Sequence, residues 1–111
     1  MTTVTRFTAD WCQPCKVYGP VFDEVGEELG DSAIFLTVDV EEQSEYAFKS
    51  GVSSIPATII TVDGEEYGRR MGALQKQVLE DWVRSAVNRS RILTSSKVTN
   101  RVEEQSGIKP L

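Results

Sequence analysis

The sequence predicts an α/β domain: a mixed sheet of about four strands flanked by helices. Two observations carry this. A β-branched segment, an apolar helical pattern and a second apolar segment follow one another, and a strand–helix–strand order of this kind implies a parallel crossover. Two further strand-like runs are separated by Asp63-Gly64 alone, a strong two-residue hairpin signal that adds an antiparallel partner. At 111 residues there is little room for a second domain.

Val4–Thr8 is rich in β-branched and aromatic residues and reads as a short strand. Asp10-Trp11-Cys12 leads into a helix with Pro14 in its first turn, where a missing N–H costs nothing. Val17, Tyr18, Val21, Phe22, Val25 and Leu29 recur at about 3.6-residue spacing and mark its apolar face. Pro20 falls inside that pattern and predicts a kink; Gly30 is read as its stop. Ala33–Val40 is mostly apolar and reads as a buried strand. Glu42–Lys49 is a short helix with apolar surface from Tyr46 and Phe48, closed by Gly51. Ala57–Val62 and Glu66–Met71 are the hairpin strands. Leu74, Val78, Leu79, Trp82, Val83, Ala86 and Val87 define an amphipathic last helix, with Trp82 in the core. Beyond Asn88 the apolar pattern fades. The domain is therefore placed at 1–88 and a basic, polar extension at 89–111.

Composition narrows the chemistry. Hydrophobic residues make up 40% and charged residues 26%, ordinary for a globular chain. No apolar run is long enough to cross a bilayer, and no secretory leader pattern is seen, so a membrane role is not expected. Net charge is −5 and uneven. Residues 1–88 hold seven basic and fifteen acidic side chains, a net −8; residues 89–111 hold five basic and two acidic, a net +3. An acidic body repels nucleic acid, so no nucleic-acid partner is expected. The absence of histidine removes Ser-His and Cys-His catalysis and leaves no ordinary zinc ligand set on one chain.

What remains is Cys12 and Cys15, three residues apart at a helix opening. Residues so spaced share a face, with Cβ atoms about 5–6 Å apart, and a modest adjustment reaches the roughly 3.8 Å of a disulfide. Cys12 sits near the helix start, where unpaired N–H groups favour a thiolate. It is expected to be the attacking thiol. Cys15, one turn deeper, is expected to resolve. The bland alternatives are a pair of buried, inert cysteines or half of a metal site. A helix start beside Trp11 and Pro14 is a poor place to hide a thiol, and no second cysteine pair exists. C-x-x-C beside a strand–helix–strand pattern therefore points to redox use.

Phe7-Thr8-Ala9-Asp10-Trp11-Cys12-Gln13-Pro14-Cys15-Lys16 resembles the active-site segment of the thioredoxin family, whose usual form has W-C-G-P-C-K. Gly51-Val52-Ser53-Ser54-Ile55-Pro56-Ala57-Thr58 is similar to that family's loop before its cis-proline, and Asp63-Gly64 with Met71-Gly72-Ala73-Leu74 to its hairpin and following glycine. The resemblance runs from residue 4 to about residue 88. It implies a thioredoxin-like fold and a protein-disulfide reductase whose only redox group is the Cys12–Cys15 pair, with no added cofactor or metal. Cys12 would form a mixed disulfide with a client and Cys15 would release it. A thioredoxin-reductase-like partner would restore the dithiol; a ribonucleotide reductase is a plausible client, and a cytoplasmic location fits. Trp11, Pro14, Ile55, Pro56, Met71 and Gly72 match the family's docking surface, and Trp11, Gln13, Pro14, Lys16, Arg6 and Pro56 would support the cysteines. X-Pro bonds are cis in only about 5–6% of cases, so the residues alone favour a trans Ile55-Pro56 bond; the resemblance implies cis. The competing readings are a glutathione-dependent, glutaredoxin-like reductase and a redox-inactive binding module.

Four departures from the family pattern bear on the site. The family usually has a strand and helix before the segment that opens here, so Ala33–Val38 is expected at a sheet edge, with residues around Ile92–Val98 packing over it. Arg6 stands where the family commonly buries an aspartate beneath the resolving cysteine. Its guanidinium is expected either to stabilise a Cys15 thiolate, making the disulfide more oxidising, or else to snorkel outward or pair with a surface acid. Gln13 replaces a glycine between the cysteines. Thr8 and Thr37 replace a tryptophan and a lysine.

Overall fold

The structure, a computed structural model, describes the backbone of residues 1–105 and the side chains of residues 1–90. Chain order is β1 (Thr2–Thr8), α1 (Gln13–Leu29), β2 (Ile34–Asp39), α2 (Ser44–Lys49), β3 (Ala57–Val62), β4 (Glu65–Met71) and α3 (Lys76–Gln105). The four strands form one sheet in the order β2-β1-β3-β4. β1 runs parallel to β2 and antiparallel to β3, and β3 is antiparallel to β4. The mixed sheet is the one the crossover and the hairpin predict. At the hairpin, Asp63 and Gly64 both have positive φ, 53° and 86°, the backbone of a turn whose twist matches the strands it joins.

Alternation along the strands sorts side chains to two faces. Val4, Ile60 and Val62 meet Tyr18, Phe22 and Val25 of α1 and Leu79, Trp82, Val83 and Ala86 of α3 in the main core. Phe7, Ala57 and Ile59 face the other way and pack with Val38 and Ala47 of α2. Each large apolar side chain so buried contributes about 1.5–3 kcal/mol. One β1 register therefore serves both layers, and Arg6, between Val4 and Phe7, is sent to the α1 side.

Several expectations are corrected. β2 lies at the sheet edge, as the family resemblance implies, and the reading of its apolar run as buried gives way: Ile34 and Leu36 are 43% and 48% exposed. A continuous apolar run does not distinguish the two cases. Val17 belongs to the apolar repeat by spacing yet is exposed, as are Tyr46 and Phe48; only Ala47 of α2 is buried. Helix α1 spans Gln13–Leu29 with Pro20 inside it, where the kink is expected. Gly30 ends it in a right-handed conformation, φ −63°, and its lack of a side chain matters for another reason: a Cβ there would stand 2.8 Å from the Gly26 carbonyl oxygen. Helix α3 runs past Asn88 to Gln105, because helical backbone persists after the apolar pattern stops. The expectation that residues around Ile92–Val98 cover the β2 edge concerns side chains outside the described residues. The described contacts of α3 go to α1, β1, β3 and β4.

Candidate active site

The cysteines sit where β1 gives way to α1. After Thr8 the chain turns, the Cys12 N–H donating to the Ala9 carbonyl at 3.2 Å. Cys12 is the residue capping the helix: its backbone is extended (φ −95°, ψ 108°) and Pro14 falls in the first turn. The cap is made by sulfur. The Cys15 N–H donates to Cys12 Sγ at 3.3 Å, so one of the helix's unpaired N–H groups is aimed at that atom. The two cysteines form a disulfide, with Cα atoms 5.2 Å apart.

Burial separates the two cysteines less than expected, since Cys12 is 5% and Cys15 2% exposed. The difference between them lies in bonding. Cys12 Sγ receives the helix N–H and lies 3.8 Å from the Ile55 carbonyl oxygen, while Cys15 faces inward among buried residues of α1. Ala9, Val40 and Ile55 complete a small apolar cluster around the pair.

The remaining predicted site residues fall into three groups. Trp11 (64% exposed) and Met71 (42% exposed) are open to solvent, Ile55 packs against the cysteines, and Gly72 directly follows Met71. Gln13, Pro14 and Lys16 are exposed on the first turn of α1. The Ile55-Pro56 bond is cis and the proline is buried, while the Ile55 carbonyl oxygen lies beside Cys12 Sγ. The Gly72 N–H donates to the Pro56 carbonyl at 2.7 Å and ties the two loops together. Gly72 adopts φ 93°, a left-handed conformation that an L side chain resists.

Arg6 lies deeper. Its Nε donates to Thr37 Oγ1 at 3.0 Å, and its guanidinium carbon is 5.4 Å from the centre of the Phe22 ring. Nη1 is 2.9 Å from where a Cβ on Gly19 would stand. Among the described residues no carboxylate forms an ion pair with it, so the expected surface acid is not found.

Two functional contacts escaped the sequence reading. The Trp11 indole N–H donates to Glu41 Oε2 at 2.7 Å, across 30 positions. Glu41 is put there by a turn in which Asp39 Oδ1 accepts the N–H groups of Glu41 and Glu42 at 2.8 and 3.2 Å. An Asp-x-Glu sequence after a strand is the only available cue. The second contact is between the Tyr18 hydroxyl and Thr58 Oγ1, 2.8 Å apart in the core. Burial pushes the Tyr18 phenol up from its ordinary value, against smaller downward pulls from Thr58 and the Arg6 charge.

Comparison with known proteins decides the family. The thioredoxin family model matches residues 1–85. The chain belongs to the thioredoxin family. It is 40% identical to thioredoxin of Bacillus subtilis over 77 residues, 69% of this chain and 74% of that one. With thioredoxin of Rhodospirillum rubrum it shares 35% over 81 residues, 73% and 78% of the two chains. Among solved structures, Malassezia sympodialis thioredoxin matches with a TM-score of 0.71 at 32% identity, covering 78% of this chain and 75% of that one. Fasciola hepatica thioredoxin matches with 0.71 at 29%, covering 77% and 80%. As a thioredoxin-family member with an intact C-x-x-C pair, the chain is a thiol-disulfide oxidoreductase. No helix among the described residues is long and apolar enough to cross a membrane.

Proposed function

We propose that the chain reduces disulfides of client proteins, with Cys12 as the attacking thiolate and Cys15 as the resolving thiol. The observation that carries the assignment is the N–H of Cys15 aimed at Cys12 Sγ. A donor so placed favours negative charge on Cys12 over Cys15. The Cys12 thiolate attacks one sulfur of a client disulfide; a mixed disulfide forms and the other client sulfur leaves as a thiolate. Cys15, losing its proton to solvent, attacks Cys12 Sγ. The Cys12–Cys15 bond closes and the second client sulfur leaves, taking up a proton.

Trp11, Ile55, Met71 and Gly72 would receive the client. Ile55 offers backbone groups to an extended segment as a short strand addition. Pro14 and Gln13 border that surface, Lys16 sets charge on the first turn, and Pro56 supports it from below. The dithiol is restored by a thioredoxin-reductase-like partner. A ribonucleotide reductase is one client of the right chemistry, and a reducing compartment such as the cytoplasm suits the cycle. The cycle uses the disulfide itself and needs no further cofactor. The reactive unit is assigned to residues 1–88, with 89–111 as a basic extension.

The test is dithiothreitol-driven reduction of a disulfide-containing protein. Cys12→Ser abolishes turnover to the uncatalysed rate. Cys15→Ser also stops turnover but accumulates a client mixed disulfide on Cys12, seen by mass spectrometry. Accumulation on Cys15 in the Cys12→Ser variant instead would reverse the assignment.

A further inference from the structure

Arg6 is the one charged side chain that β1 sends to the α1 side of the sheet, between Val4 and the active-site turn. Its surroundings are unusual for a cation. The buried polar side chains among the described residues are Thr2, Thr5 and Thr58, so no carboxylate lies in the interior beneath the cysteines. Thr37 takes the Nε proton, and the Phe22 ring lies under the guanidinium carbon. The terminal nitrogen Nη1 comes to 2.9 Å from the Cβ position of Gly19. Any side chain at residue 19 would push the guanidinium away; glycine lets it approach the helix axis.

Gly19 lies four residues after Cys15, on the same helix face. Cβ positions so related are about 5–6 Å apart, which puts Nη1 at most about 9 Å from the Cys15 Cβ. Cys15, Tyr18, Phe22 and Thr58 are each 2% exposed or less, so the Cys15 end of this path is buried, while Arg6 itself is half-buried and its partner Thr37 exposed.

We infer that Arg6 is a positioning residue for the thiol-disulfide exchange, its guanidinium placed beneath Cys15 so that the reduced, thiolate-bearing form is favoured over the disulfide. The inference rests on the proposed function only in taking Cys15 as one of the exchanging thiols. Reduction breaks the Cys12–Cys15 bond with two electrons and two protons from an external dithiol, which closes to its own disulfide. Whatever fraction of Cys15 then ionises releases its proton to solvent. A cation favours that anion and has no comparable interaction with the neutral disulfide. The residues packed around Cys15 are Ala9, Cys12, Val40 and Ile55, none of them charged. Lys16, beside it on α1, is exposed and screened by water.

The experiment is equilibration of the full chain against reduced and oxidised glutathione at pH 7 and pH 9, as wild type, Arg6→Gln and Arg6→Lys. At pH 9 a free thiol, with its ordinary value near 8.5, is largely ionised, so the Arg6 effect is greatest there. Arg6→Gln is expected to lower the dithiol-to-disulfide ratio about three- to tenfold at pH 9 and less at pH 7. At 29.6 mV per tenfold this makes the potential about 15–30 mV more negative. Arg6→Lys keeps most of the wild-type value. Gly19→Ala, which displaces the guanidinium without removing it, moves the ratio in the same direction. The Cys15 thiol, titrated by alkylation rate in a Cys12→Ser background, rises on Arg6→Gln. Potentials equal to wild type at both pH values, with an unmoved Cys15 titration, would overturn the inference. That result would leave the functional assignment standing, because the latter depends on which cysteine forms the mixed disulfide.

Discussion

At the scale of single residues, the core under the active site is held by one polar contact as well as by packing. Tyr18 is fully buried, and its hydroxyl meets the equally buried Thr58 Oγ1 at 2.8 Å. Removing one partner of such a pair leaves the other unsatisfied, at a cost of about 1–3 kcal/mol. Tyr18→Phe is therefore expected to lower unfolding free energy by about that amount, measured by urea denaturation. The pH dependence has a definite sign. Burial raises the folded-state value of Tyr18 above its ordinary 10.0. In that window the unfolded chain has given up the phenolic proton and the folded chain has not. Stability from this group is fully present below pH 10.0 and is lost as pH rises through the folded-state value. Tyr18→Phe should flatten this alkaline decline. A variant as alkali-sensitive as wild type would assign the decline to other groups. Glu66 behaves in the opposite sense. Hydrogen bonds from Arg69, both at 2.7 Å, hold its carboxylate below the ordinary 4.5, so its contribution is lost as pH falls below that value. Glu66→Gln should reduce the acid-side slope slightly, since the pair is largely exposed and water screens it.

Single elements show how far a local pattern reaches. In the β3–β4 hairpin, Gly64 has φ 86° and open space where a Cβ would go. The cost of Gly64→Ala is therefore purely conformational, about 1–2 kcal/mol. Gly64→Asn should cost less, because a short polar side chain tolerates the left-handed region. Urea midpoints read both, with an unchanged m-value confirming that the hairpin persists. Gly68 is a different case: a Cβ would stand 3.3 Å from the Trp82 ring, so the constraint there is packing of β4 against α3. The hairpin was legible in the sequence because β-branched residues and Asp-Gly at the turn all encode one backbone geometry. β3 falls at Ala57–Val62, as read, for the same reason. β2 was legible as a strand from its own residues, but its edge position only through the family resemblance, since Ile34 and Leu36 look the same at an edge and in a core. The site divides along similar lines. Cys12, Cys15 and the Ile55-Pro56 loop were legible through local motifs. The Trp11–Glu41 bond was not, because it depends on how two loops 30 residues apart meet. The position of Arg6 was legible through the family resemblance, but its contacts were not, since they depend on the absence of a side chain at Gly19 on another element.

At the scale of the whole molecule, the question is how the long final helix relates to the folded body. The buried members that α3 gives the core are Leu79, Trp82, Val83 and Ala86, with Val87 packed against them. The matched family region ends at residue 85. Just beyond, Arg89 places its guanidinium carbon 5.9 Å from the Tyr67 ring centre, a contact from α3 back to β4. From Arg91 to Gln105 the helix adds 15 residues, near the length at which isolated helices are marginal in water. If the body draws its cohesion from the core, a variant ending at Ser90 should unfold cooperatively with a midpoint within a few degrees of the full chain. It loses four basic and two acidic residues, so its net charge goes from −5 to −7. The resulting self-repulsion is spread over the surface and screened beyond about 8 Å at physiological salt. The truncated form should therefore be destabilised most at low ionic strength and recover as salt is raised. Its glutathione equilibrium should match the full chain, because the Cys12–Cys15 turn, Ile55 and Arg6 are all held within the body. A large drop in midpoint that salt does not restore would mean that residues 91–111 form part of the folded unit, and the boundary at residue 88 would have to be given up.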